Sequence, residues 1–181
     1  MSRPRNYDLL SVEIDAKTVK GSKFGVLTGI LYLAPANESG YQTCPKSSAG
    51  CRAACLFTAG YAGIYKNVNA ARIHKTKMFF EERAAFFHTL VKDIVRLSKE
   101  AEHRNMDVTV RLNGTSDIAW EKFSVIRDNV IYKNIFAAFP DIQFYDYSKI
   151  LNRKSALAIA NYHLTFSLSE ENDKDAVKAL K

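Results

Sequence analysis

Residues 106–114 read "MDVTVRLNG", a strand closed by Asn113-Gly114. The fold follows from what flanks it. Upstream, from Asn69 to about Arg104, Ile73, Phe79, Phe80, Ala84, Phe87, Leu90, Ile94 and Leu97 recur at three- and four-residue steps, which predicts one long amphipathic helix or two in series. Downstream, "DIAWEKFSVIRDNV" (117–130) is helical in tone, and "IQFYDYSK" (142–149) is a strand. Then "NRKSALAIANY" (152–162) reads as a helix and "HLTFSLSEE" (163–171) as a strand. Strand, helix, strand, helix, strand implies parallel strands joined by crossover helices, hence an α/β fold with a partial parallel barrel or an open sheet.

Before this core, "LLSVEI" (9–14) and "FGVLTGILYLAP" (24–35) read as extended structure separated by the turn "KGSKFG" (20–25). No fixed-period repeat, low-complexity tract or long linker divides the chain, so residues 1–181 are expected to form a single domain. The final "NDKDAVKALK" (172–181) looks like a helix just begun, as if a C-terminal element were missing.

Composition fits a globular protein: 47% hydrophobic, 25% charged, with eleven Phe and nine Tyr among the 181 residues. No apolar run reaches membrane-spanning length, and "MSRPRNYDLLSVEID" (1–15) has no apolar block before a cleavage site, so a cytoplasmic protein with no membrane partner is expected. A net charge of +7 is compatible with a polyanionic partner, but such an excess is also common on proteins that bind none. The oligomeric state is not encoded in any motif. No Gly-rich phosphate loop, Gly-x-Ser-x-Gly elbow or His-Glu-x-x-His helix is present, which leaves hydrolase and nucleotide-binding readings without support.

All three cysteines fall in "CPKSSAGCRAAC" (44–55), spaced Cys-x6-Cys-x3-Cys. In a reducing compartment such a cluster points to a ligand set rather than a disulfide framework. Structural zinc favours Cys-x2-Cys pairs and four ligands, whereas a cubane [4Fe-4S] cluster suits a longer loop carrying three thiolates. Ser47, Ser48, Ala49, Gly50, Ala53 and Ala54 leave room for inorganic sulfide, and a helix starting near Cys51 would aim its positive end at the anionic cluster. The loop is therefore read as a metal-cluster loop with Cys44, Cys51 and Cys55 as ligands, in a structural, redox or binding role. Zinc remains the alternative, and Cys51 and Cys55 as small buried apolar residues the plainest one. The fourth ligand would be Asp117, His74, solvent or a small molecule; Asp117 lies just past a strand's C-terminal edge but is equally a good helix N-cap.

Elsewhere, "KNVNAARIHKTK" (66–77) carries Lys66, Arg72, Lys75, Lys77 and His74 without an acid. It is either a solvated helix face or a phosphate-contacting one, with Tyr61 and Tyr65 near enough to stack on bases. A nucleic acid or a host protein is thus a candidate partner. Arg111 needs an acidic partner or a cluster's charge; if Asp146, opposite in facing to Tyr145 and Tyr147, faces the interior, Arg111 is its natural partner. Trp120 and Phe123 are core, three apart on a helix. Thr165, Ser167 and Ser169 form a hydroxyl row opposite Leu164, Phe166 and Leu168.

The blocks "LYLAPANESGYQTCP", "GCRAACLFTAG", "ARIHKTKMFF", "VRLNGTSDIAWE", "FYDYSK" and "NYHLTFSLSE" resemble the phage gene product 88 family across nearly the whole chain. The resemblance implies a viral protein acting in a bacterial host cytoplasm and says little about activity. A looser similarity runs to radical S-adenosylmethionine enzymes, which carry a three-cysteine cluster loop after the first strand of a partial barrel. It implies a radical-SAM-like fold and, as a further alternative, S-adenosylmethionine as cofactor. The cysteine spacing departs from Cys-x3-Cys-x2-Cys, Ala54 replaces the aromatic before the last cysteine, and "LNGTSD" stands where a Gly-Gly-Glu segment would be.

Overall fold

The computed structural model describes residues 7–14, 16–55 and 65–180. Its first elements are β1 (Leu10–Val12), α1 (Ala16–Lys23) and β2 (Val26–Leu31). The turn expected at residues 20–25 is instead the end of α1 and its exit. Thr18 is buried there, and a Cβ on Gly21 would come within 3.4 Å of the Val26 carbonyl, so a small residue lets this short helix lie close to β2. Next come α2 (Ala49–Ala53), α3 (Lys66–Glu81) and α4 (Arg83–His103). The long helical pattern is therefore two helices in series, broken at Glu82, whose φ of −129° and ψ of 49° interrupt the helix for one residue.

β3 (Asp107–Arg111) follows, and then the largest departure from expectation. Residues 117–130 are not a helix: a 3-10 turn at Trp120–Lys122 leads into a hairpin of β4 (Val125–Arg127) and β5 (Val130–Tyr132). Asp128 and Asn129 take positive φ, 51° and 61°, the left-handed pair that a tight two-residue hairpin turn requires. Trp120 is nevertheless fully buried, and Phe123 packs against the core, as expected of them. The chain continues through α5 (Ile135–Ala138), β6 (Gln143–Ser148), α6 (Lys154–Leu157), β7 (Tyr162–Phe166) and α7 (Asp173–Ala179).

The main sheet has the order β1-β2-β3-β6-β7; β1 is antiparallel to β2 and every other pairing is parallel. The four parallel strands thus run in chain order across an open, mostly parallel α/β sheet. No closed barrel forms among the described residues, and β1 occupies one edge.

The register assigns faces. Leu27, Gly29 and Leu31 of β2 share a face with Val110 of β3 and, across β6 and β7, with Phe144, Asp146 and Tyr162. This face meets α4, whose Phe86, Phe87, Leu90, Ile94, Leu97 and Ala101 are all buried. Gly29 is the closest point of approach, since a Cβ there would lie 2.7 Å from Leu97 Cδ2. Phe79 sits at the centre of an aromatic cluster, edge-on to Phe86, Phe87, Trp120 and Phe123. One buried charge ties the edge strand to this layer: Asp93 of α4 accepts hydrogen bonds from the Leu9 and Leu10 amides at 2.7 and 3.0 Å. Among the described residues no helix is long and apolar enough to cross a membrane.

Candidate functional site

The C-terminal ends of β3, β6 and β7 open into a cavity of about 480 Å³, roofed by the cysteine loop. Crevices at this edge of a parallel sheet collect ligands because strand ends deliver side chains and loose backbone amides to one place.

After Arg111, residues 112–117 leave the sheet through a fully buried turn. Asn113 holds it together: its Oδ1 accepts from Ser116 Oγ, the Ile118 amide and Trp120 Nε1, and its Nδ2 donates to the Ile118 carbonyl. The turn is fastened to the chain after β2, with the Gly114 amide donating to the Leu31 carbonyl and the Asp117 amide to that of Thr43, at 3.0 and 2.8 Å. Thr43 Oγ1 in turn donates to the Ala34 carbonyl. The start of the cysteine loop is therefore pinned directly above the end of β3.

Two carboxylates anchor the floor. Asp146 is buried; its Oδ1 accepts from the Asn113 amide at 2.7 Å, and its Oδ2 from Tyr162 Oη at 3.2 Å. Burial pushes its carboxyl up to about 7 against the pull of these bonds. Arg111 is its expected partner, and the two come within 4.0 Å. The guanidinium lies over the Tyr147 ring, 5.0 Å from its centroid, and its buried Nε has no hydrogen-bond partner among the described residues. Asp117 accepts the Lys149 amide on Oδ2 at 2.9 Å, with Arg153 Nη1 at 3.6 Å from Oδ1. Burial raises its pKa above the ordinary carboxylate value. Asp117 is not a helix cap: it braces the loop after β3 against the loop after β6. Arg153, itself buried, is clamped on Glu121 through two nitrogens.

The roof is latched from the far end of the chain. Glu170 accepts a hydrogen bond from the Gly50 amide at 2.9 Å, and Ser48 caps α2 through the Cys51 amide at 3.0 Å. Lys149 Nζ reaches Ser167 Oγ at 3.1 Å, so the expected hydroxyl row does meet the cavity through Ser167 and Ser169.

Cys44, Cys51, Cys55 and Asp117 all line this one cavity. Yet among the described residues no three His, Cys, Asp or Glu side chains form a group able to hold a metal ion. This overturns the reading as an iron–sulfur protein with a [4Fe-4S] cluster on those cysteines, and the structural-zinc alternative with it. The physical reasons lie in how each group is held. The Cys44 thiol is directed at the Thr115 carbonyl at 3.5 Å, and burial raises its pKa, which favours the neutral thiol over the thiolate that ligation needs. Cys51 lies inside the five-residue α2 and Cys55 beyond its end, so their spacing of four does not place them on one helix face. Asp117 holds the Lys149 amide on Oδ2, while its Oδ1 faces Arg153 Nη1 at 3.6 Å without a hydrogen bond.

The basic segment 66–77 does not form a single cationic face either. Lys75 turns inward to the Leu9 carbonyl at 2.7 Å, and Arg72 lies over the Tyr32 ring. Lys66, Lys77 and His74 stay exposed, and His74 is not on the cavity wall. Tyr65 is half exposed, and Tyr61 lies outside the described residues. Sequence reasoning missed Lys149, Arg153 and Glu170; the available signal was position alone, since Lys149 directly follows a parallel strand and Glu170 lies shortly beyond another.

No curated protein and no solved structure matches the chain, so the looser likeness to radical S-adenosylmethionine enzymes has no match behind it. The profile of one family, Gene product 88, matches residues 6–181. With that match spanning nearly all of the sequence, the chain belongs to the phage gene product 88 family.

Proposed function

We propose that the cavity binds a small molecule bearing a carboxylate or phosphate group, held by Arg111 and Lys149. The observation that carries this reading is the Arg111 guanidinium on the cavity wall. Its nearest carboxylate stands 4.0 Å away and is pushed up to about 7, so at neutral pH Asp146 only partly balances it. A cation held in a recess without full compensation attracts a ligand anion, and a guanidinium grips carboxylate or phosphate oxygens with paired donors. Ser167 and Ser169 supply hydroxyls for the ligand's polar body, and Tyr147 an aromatic wall. Membership of a phage family supports placing this binding in the bacterial host cytoplasm.

Thermal unfolding tests the reading with two probes, inorganic phosphate and succinate. A probe at about a hundred times its Kd adds about 2.7 kcal/mol to stability, enough to raise Tm by several degrees. The rise is expected in the native protein and lost in Arg111→Met, which keeps the aliphatic packing. A panel at about 10 mM that leaves Tm unchanged, or raises it equally in Arg111→Met, rejects the proposal.

A further inference from the structure

A second recess of about 580 Å³ lies on the opposite side of α4, between that helix and the β4–β5 hairpin. Its helical wall carries Lys92, Arg96 and Lys99, successive exposed positions on one stripe that spans roughly 10 Å of helix. The hairpin adds Arg127, held in place by its hydrogen bond to the Ala138 carbonyl at 2.6 Å and by the Phe139 ring. Of these four cations Arg96 stands 4.0 Å from Asp93 and over the Tyr7 ring, and Arg127 is paired with the mostly exposed Asp128, which leaves Lys92 and Lys99 for an occupant. Among the described residues Lys92 and Lys99 make no ion pair.

The floor is not polar. Val91 and Val95 lie between the cations, and Ile126 closes the far wall while 61% exposed. Ile126 is the cross-strand partner of Ile131, itself 74% exposed, and Val130 beside it is half exposed. Ile126 and Ile131 share one open face of the hairpin, with Ile126 on the recess wall, and mark a surface meant to be covered.

We infer that this recess docks an acidic, amphipathic segment of a partner protein, whose carboxylates meet Lys92 and Lys99 while its apolar side chains cover Ile126 and Ile131. Charge complementarity selects an anionic occupant, and the aliphatic floor selects among anions. A single-stranded nucleic acid gains its affinity beyond phosphate contacts from aromatic stacking, and no Phe, Tyr or Trp lines the recess. A peptide helix laid in a groove uses apolar side chains at this spacing together with flanking charge. The partner is thus a protein segment rich in Asp or Glu with aliphatic residues at helical intervals. This inference is independent of the ligand assigned to the cavity at the sheet edge.

Fluorescence polarisation on the full chain tests it with labelled probes. The first is a synthetic peptide of about 15 residues carrying glutamates and helically spaced leucines; the second has the same charge with serine for leucine. An oligothymidylate of similar length and phosphatidylserine vesicles complete the set. At physiological salt the leucine peptide is expected to bind at least about tenfold more tightly than the serine peptide. Ile126→Ser removes that difference, while Lys92→Glu combined with Lys99→Glu removes binding of both peptides. All three substitutions are at exposed positions, so the fold survives them. Equal affinity for the two peptides, or tighter binding of the oligonucleotide or the vesicles with no effect of Ile126→Ser, overturns the inference. So does no peptide binding at about 1 mM.

Discussion

At the scale of single residues, the buried polar groups around β3 control both stability and charge. Asn113 satisfies three donors with one oxygen, so Asn113→Ala strands Ser116 Oγ, the Ile118 amide and Trp120 Nε1 in a buried turn. At about 1–3 kcal/mol for a stranded buried group, and with some relaxation, urea unfolding is expected to show a loss of about 3 kcal/mol. Asp146 makes stability depend on pH in an unusual direction. Its folded pKa is about 7, above the ordinary unfolded carboxylate value, so the native state holds a proton that the unfolded chain gives up. Its contribution is fully present below the unfolded value and is lost as pH rises through 7. Asp146→Asn keeps an oxygen for the Asn113 amide and removes the titration. The stability of the native protein relative to Asp146→Asn should therefore fall between about pH 4 and pH 7, and a flat difference would show that the carboxylate is ionised throughout. Cys44, raised in pKa by burial and directed at a carbonyl, should alkylate slowly at neutral pH.

At the scale of elements, the cavity depends on two close approaches. Gly114 lets the end of β3 rest against the chain after β2. A Cβ there would sit 2.6 Å from the Tyr32 ring and 2.8 Å from the Leu31 carbonyl, which is backbone and cannot swing aside. Gly114→Ala is expected to cost about 1–3 kcal/mol in urea unfolding and to weaken ligand binding by displacing Thr115–Asp117. The second approach is the Glu170 latch on α2. Hydrogen bonding, first from Ser48, lowers its carboxyl pKa, so the latch holds above the ordinary carboxylate value and is released as pH falls through the lowered one. Amide exchange at Gly50 should accelerate in Glu170→Ala, with α4 unaffected; unchanged exchange would mean that the roof is held by other contacts.

Elements differed in how plainly the sequence announced them. β3, β6 and β7 were legible because each is a short β-rich run with turn chemistry beyond it. The hairpin was not, because "AWEKF" carries a helical spacing of aromatics that the fold satisfies with a 3-10 turn. The informative pair was Asp128-Asn129, a two-residue hairpin turn between "VIR" and "VIY". α1 was missed because Gly21 read as a turn residue, when it serves as a contact point beneath β2.

At the scale of the whole molecule, the site is a product of topology. Cys44–Cys55, Arg111–Asp117, Tyr147–Lys149 and Ser167–Glu170 meet only because four parallel strands, β2, β3, β6 and β7, end at one edge of the sheet. The sequence marked the cysteine loop and Asp117 as candidates for one site, and both line the same cavity. It could not show that Arg111, Lys149 and Glu170 converge with them, because strand register and loop contacts across more than a hundred residues have no local signature. The cysteine spacing misled for the same reason: proximity along the chain is compatible with ligation but does not aim three sulfurs at one point.

Mapping amide shifts during a titration with inorganic phosphate or succinate tests the central claim most directly. Saturable shifts confined to Arg111–Asp117, Lys149 and Gly50–Cys55, and absent in Arg111→Met, are predicted. Shifts scattered over exposed lysines, or the same shifts in Arg111→Met, would contradict a ligand site at the end of the sheet.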